Sequence, residues 1–112
     1  RKSNMIISGG ENVYPTEVEN ALGQHPAVRD VAAIGVPHEK WGETVHAVVV
    51  LHDGMSASED ELKRWCRERL AGFKCPSSVS FIADDAMPRT ATGKIQHRVL
   101  RDRHARAEGA RR

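Results

Sequence analysis

Lys94 sits in the run "TATGKI", behind a single glycine and just ahead of an apolar pattern of helical spacing. An ammonium on a four-carbon stem, placed beside the free N–H groups of a helix start, can reach a phosphate as a point charge. The run is not a Walker A loop. That motif needs glycine at position 88 and Ser or Thr after the lysine, where Pro88 and Ile95 stand. A phosphate-reaching cation and an ordinary surface lysine in a helix-entry turn both fit these residues. A second stretch, "SGGEN", pairs Gly9 with Gly10. Paired glycines permit positive φ and let a ligand or another backbone approach closely. They also make a plain strand-to-helix connection.

Other chemistry is less well supported. His46 and His52 share a strand face but lie six residues apart, and His97 and His104 are two helical turns apart. No HxxxH or HExxH occurs, so no metal site is predicted. Cys66 and Cys75, nine residues apart, fit neither a CxxC pair nor a zinc knuckle and read as reduced thiols of a cytoplasmic protein. Cys66 falls on the apolar stripe of a helix and reads as core, not as a nucleophile. From Arg98 to Arg112 there are six arginines against Asp102 and Glu108. No aromatic residues interleave with them, so a solvated helix face is expected instead of a nucleic-acid arm.

The elements that must carry these residues read as a small α+β domain in the order β-α-β-β-α-β-α. At 112 residues, 39% apolar and 29% charged with a net charge of +2, the chain suits one domain with its own core. It has no apolar run of membrane-span length and no signal peptide pattern. "NMIIS" predicts a short strand leading into a glycine loop. "YPTEVENALG" predicts a helix with Pro15 at its first position and Glu17 and Glu19 near its positive end. "AVRDVAAIGVP" and "ETVHAVVVLHDG" predict an antiparallel strand pair joined by the polar "HEKWGE". In the second strand Val45, Ala47, Val49 and Leu51 lie opposite His46, Val48, Val50 and His52. Ser58 and Glu61 make a capping box ahead of a helix striped with Leu62, Trp65, Cys66, Leu70 and Phe73. "SSVSFIAD" predicts a further strand of the same sheet. A flexible loop bearing Lys94 follows, and then a last helix from about Ile95.

Three blocks, "RKSNMIISGGENVYPTEVE", "GFKCPSSVSFI" and "MPRTATGKIQHRVLR", carry a family likeness from Arg1 to about Arg103. Together they resemble the C-terminal domain of the adenylate-forming enzymes, the acyl-CoA synthetase family. "GGENVYP" is more similar to the acyl-CoA ligases than to the amino-acid-activating domains of peptide synthetases. The resemblance implies that residues 1–112 are the mobile lid domain of an AMP-forming acid–CoA ligase. Its partner would be a large N-terminal adenylation domain of the same polypeptide, absent from this chain. ATP, CoA and a carboxylic acid would be the substrates, with Mg2+ expected in the full-length enzyme. The chain alone would be inactive and bind none of them.

By the same resemblance, the lid closes in two orientations. In the first, Lys94 stabilises the charge that builds on carboxylate and phosphate as acyl-AMP forms. In the second, Gly9 and Gly10 wall the path of the CoA pantetheine arm. Arg1 would contact the nucleotide ribose, as Lys94 contacts the nucleotide phosphate. Ser3 would stand at the hinge, where Asp or Lys is usual, and Asn4 also departs from the usual charged pair. Asn12, Ser77 and His97 replace basic residues that relatives use, leaving Lys74 and Arg67 as candidates for the CoA phosphates or as plain helix-end charges. A stand-alone interaction or nucleic-acid-binding module keeping only the fold is the alternative. Such a module has no need of the lysine run, and no nucleic-acid partner is expected.

Overall fold

The computed structural model describes residues 4–110. It contains β1 (Ile6–Ser8), β2 (Glu11–Val13), α1 (Pro15–Gly23), β3 (Val28–His38), β4 (Gly42–Leu51), α2 (Glu59–Arg67), β5 (Ser78–Phe81) and α3 (His97–Ala110). This is the α+β architecture expected, with one strand more. The extra strand is β2: "SGGEN" is the turn of a hairpin, with Ile6 opposite Val13 and Ser8 opposite Glu11. Gly9 (φ 58°) and Gly10 (φ 83°) are both left-handed, as a two-residue turn matching the strand twist requires.

β4 organises the sheet. It pairs antiparallel with β3 from Val28 opposite Leu51 to His38 opposite Gly42. Along its other edge it meets β1 at Gly42 and then runs parallel to β5, from His46 opposite Ser78 to Val49 opposite Phe81. Pro37 is tolerated because β3 is the edge of the sheet.

Both faces of the β3–β4 pair are buried, which explains the near-continuous apolar run in each. Val31, Ala33, Val45, Ala47 and Val49 pack with Val18 and Leu22 of α1 and Leu62 and Cys66 of α2. Ala32, Ile34, Val36, Val48 and Val50 pack with Met87 and Leu100 on the α3 side. A bulge between Val28 and Asp30 breaks the alternation. It lets Val28 join the α1–α2 core although Ala32, four residues on, faces α3.

Pro15 opens α1 as expected, and Ser58 caps α2 by accepting from the Glu61 N–H at 3.0 Å. The reciprocal half of the capping box is not made, because the Glu61 carboxylate bonds His25 Nε2 at 2.8 Å. Phe73 does not continue the α2 stripe. The helix ends at Arg67, and a 3-10 turn over Gly72–Lys74 leaves the ring exposed. α3 starts at His97, two residues later than expected, because Ile95 is paired with Arg89. Both cysteines are free thiols, Cys66 buried and Cys75 half-buried. Burial pushes the Cys66 thiol up to about 11.

His46, on the α3 face, is the buried polar group of β4. Its two ring nitrogens meet Ser78 Oγ at 2.6 Å and Ser80 Oγ at 2.9 Å. Burial, and then His104 of α3, lower its pKa to about 4, while Glu59 of α2 pulls it up. An unfolded chain therefore takes up a proton near pH 6.5 that the folded chain refuses until about pH 4. Stability is full above the unfolded value and falls as pH drops through this window. From pH 7.5 to 5 the loss from His46 should be about 2 kcal/mol. Urea unfolding at the two pH values should show this loss in the native chain, and His46→Gln should reduce the difference by that amount.

Candidate functional site: two turns at opposite ends of the sheet

Lys94 closes a tight turn. Thr90 N–H donates to the Lys94 carbonyl at 2.8 Å, Gly93 N–H to the Thr90 carbonyl at 2.9 Å, and Lys94 N–H to Thr90 Oγ1 at 3.1 Å. The two threonine hydroxyls, Thr90 and Thr92, are 3.1 Å apart. At the feet of the turn Arg89 bridges to Ile95, and Gln96 N–H donates to the Pro88 carbonyl. The flexible loop expected from the sequence is thus a hydrogen-bonded structure. Lys94 is exposed on it, with no ion-pair partner among the described residues.

The glycine turn rests on the β3–β4 hairpin loop. Gly9 N–H donates to the Trp41 carbonyl at 2.9 Å, and a Cβ on Gly9 would lie 3.0 Å from Trp41 Cε3. A Cβ on Gly10 would meet nothing within 4 Å, so that residue faces open space. Beside the turn runs a groove of about 390 Å3, lined by Ser8, Gly9, Trp41, Phe73, Cys75 and Ser77. Its rings stand out of the surface: Trp41 is 45% exposed and Phe73 43%. Burial raises the Cys75 thiol pKa, which keeps it protonated. Sequence reasoning missed Trp41 and Phe73 as site residues. The available signal was a tryptophan in an otherwise polar hairpin loop.

The other expected residues are dispersed. Lys74 is tied to Glu17 of α1 at 2.7 Å. Arg67 is exposed at the end of α2. Arg1 and Ser3 lie outside the described residues. Two of the C-terminal arginines are occupied within the fold: Arg101 donates to Asn4 Oδ1 at 3.0 Å and Arg103 to the Ala86 carbonyl at 2.7 Å. Among the described residues no cluster of three or more His, Cys, Asp or Glu is placed to hold a metal ion, and no helix is long and apolar enough to cross a membrane.

The structure does not bring Lys94 and the glycines together. Gly9 hangs on Trp41, next to the first residue of β4. The foot of the lysine turn, Arg89, bonds Asp30, which pairs with Val50 near the last. At the rise of an extended strand the two anchor points are about 30 Å apart.

Residues 17–94 match the family described as AMP-binding enzyme C-terminal domain. The chain belongs to this family. It is similar to a feruloyl-CoA synthase from Amycolatopsis, 55% identical over 95 residues, which are 85% of this chain and 19% of that protein. It superposes on a fatty acyl CoA synthetase from Mycobacterium tuberculosis with a TM-score of 0.84 and 46% identity, covering 93% of this chain and 20% of that one. ATP-bound MatB from Rhodopseudomonas palustris gives a TM-score of 0.86 at 40% identity, with the same coverage. The chain thus spans roughly a fifth of the length of the relatives it matches, and corresponds to the C-terminal domain of the acyl-CoA synthetases.

The two glycines of this C-terminal domain differ in what surrounds them, and that difference is measurable. Both are left-handed, so alanine at either should cost about 1 kcal/mol for the conformation alone. Gly9→Ala should be the more damaging, because Trp41 must also move. Thermal unfolding of the two single variants should rank Gly10→Ala above Gly9→Ala.

Proposed function

We propose that this chain is the mobile lid of an ATP-dependent acid–CoA ligase, preceded in the full-length polypeptide by a large N-terminal adenylation domain. One observation carries the reading: two turns suited to different chemistry stand at opposite ends of a single sheet. Their anchor points, Trp41 and Asp30, are separated by about the length of β4, so the two turns cannot serve one reaction centre without a change of domain orientation.

In the first half-reaction a carboxylate oxygen attacks the α-phosphorus of ATP and pyrophosphate leaves. Negative charge builds on the phosphoryl oxygens, and the Lys94 ammonium, held out on its closed turn, stabilises it there. Arg1 would hold the nucleotide ribose. Mg2+ would come in with ATP on the larger domain. In the second half-reaction the domain turns about Ser3 and presents the glycine end. The CoA thiol sulfur attacks the acyl carbonyl and AMP leaves. The pantetheine arm passes Gly9 and Gly10, and the groove between Trp41 and Phe73 offers the cofactor an apolar wall. Lys74 and Arg67 are the basic groups offered to its phosphates, with Lys74 shared with Glu17. The reduced thiols suit a cytoplasmic setting.

Half-reactions measured separately in the full-length enzyme test this. Lys94→Ala should lower acyl-AMP formation by about 10²–10³-fold, while thioester formation from preformed acyl-AMP stays within a few-fold of wild type. Gly10→Leu should do the reverse, with Gly10→Ala as the control for backbone strain. Equal losses in both half-reactions for either variant would sink the two-orientation reading.

A further inference from the structure

The lysine turn is fastened to the fold at its upstream foot by one guanidinium. Arg89 Nη2 donates to Asp30 Oδ2 at 2.7 Å and to Asp84 Oδ1 at 2.8 Å, and Nη1 donates to the Asp84 backbone carbonyl at 3.0 Å. The three residues come from different parts of the chain: β3, the 3-10 turn over Asp84–Ala86, and the base of the lysine turn. Asp30 is prepared for this contact. It sits at the β3 bulge, and its other oxygen, Oδ1, is held by the Val31 N–H at 2.9 Å. Arg89 and Asp30 keep 26% and 33% of their side chains exposed, against 44% for Asp84, so the bond to Asp30 is the better shielded arm of the fork. The downstream foot has its own tie: His97 Nε2 lies 2.6 Å from Glu19 of α1, whose same oxygen accepts the Ala33 N–H.

We infer that Arg89 is a positioning residue for acyl-AMP formation: its fork onto Asp30 and Asp84 fixes the direction in which Lys94 leaves the domain. The inference rests on the adenylation role proposed for Lys94. Lys94 makes no side-chain bond within the described residues, so the placement of its backbone is what the domain controls. Misplacing a reacting or stabilising group by about 1 Å can cost about 10²-fold in rate. Lysine at position 89 could not reproduce the fork, since an ammonium lacks the planar arrangement that serves two acceptors and a carbonyl at once.

Two measurements test the inference. On the 112-residue chain, hydrogen exchange at the Thr90 and Lys94 amides should speed up at least several-fold in Arg89→Ala, while β4 amides stay protected. In the full-length enzyme, Arg89→Ala should lower kcat for acyl-AMP formation by about 10–100-fold, with thioester formation from preformed acyl-AMP unchanged. Asp30→Asn should show a milder form of the same pattern, and Arg89→Lys should recover part of the loss. In a Lys94→Ala background the Arg89 substitution should add almost nothing, because both act through one ammonium. Additive losses, equal losses in both half-reactions, or unchanged exchange at the turn would overturn the positioning role. If Lys94→Ala itself leaves adenylation intact, the reading of Lys94 falls and this inference with it. If Lys94→Ala is crippled while Arg89→Ala is not, only the inference falls.

Discussion

The long pairing of β3 with β4, buried on both faces, sets the distances that everything else inherits. Helices α1 and α2 cover one face and α3 the other, so neither strand can slip by one residue without exchanging the two cores. The register in turn fixes where each end of the pair lies. At the Gly42 end, the hairpin loop offers the Trp41 carbonyl on which the glycine turn hangs. At the Val50 end, the bulge offers Asp30 to the lysine turn. The separation of their anchor points at Trp41 and Asp30 is thus about a strand length, held by hydrophobic packing along the whole of it.

Carboxylates do much of the joining between these elements. Glu43 of β4 accepts the Ile7 N–H of β1 at 3.0 Å, and Glu59 of α2 accepts the Val79 N–H of β5 at 2.6 Å. Glu19 of α1 accepts the Ala33 N–H of β3. Each supplies an acceptor to a strand N–H that no neighbouring strand reaches, on the outer edges of β3 and β5 and, for β1, beyond its single pairing with β4 at Gly42. Trp65 adds a neutral tie, its Nε1 donating to the Ala21 carbonyl of α1 at 2.8 Å while Arg69 lies over its ring. The helices are therefore held to the sheet by directed bonds as well as by apolar contact, which suits the proposed movement of the domain as one intact unit.

What was legible in the sequence was local. Pro15, the Ser58 cap and the valine-rich strands declare themselves through spacing, because each depends on residues a few positions apart. The second strand of the glycine hairpin was hidden: three residues, "ENV", are too short for a period, and the turn that defines it needs φ values that glycine permits without demanding. The Trp41–Phe73 groove and the Arg89–Asp30 bond were out of reach for another reason. They join residues 32 and 59 positions apart, and no local preference encodes such a meeting. Glu61 shows the limit inside a motif that was recognised, since a tertiary partner, His25, took the side chain that the local capping box would have used. The lysine and glycine pair themselves were visible as residue types. The roles proposed for them rest on the family likeness, and the placement of their anchors at opposite ends of the β3–β4 pair on the fold.

The closed form of the lysine turn bears on how such a domain would work. Ordering a loose five-residue loop around a transition state would cost roughly 1–2 kcal/mol per residue at each turnover. In this chain that freedom is already lost on folding, to the bonds within Thr90–Lys94 and to the ties through Arg89 and His97. The same holds at the other end, where two left-handed glycines and the Trp41 carbonyl fix the hairpin. With both ends preformed, local flexibility is not needed to bring either turn to a reaction centre. In the proposed ligase, the motion that exchanges one end for the other can then reside in the connection to the proposed N-terminal domain, where rotation about a few backbone bonds would move both ends at once and leave their internal geometry untouched.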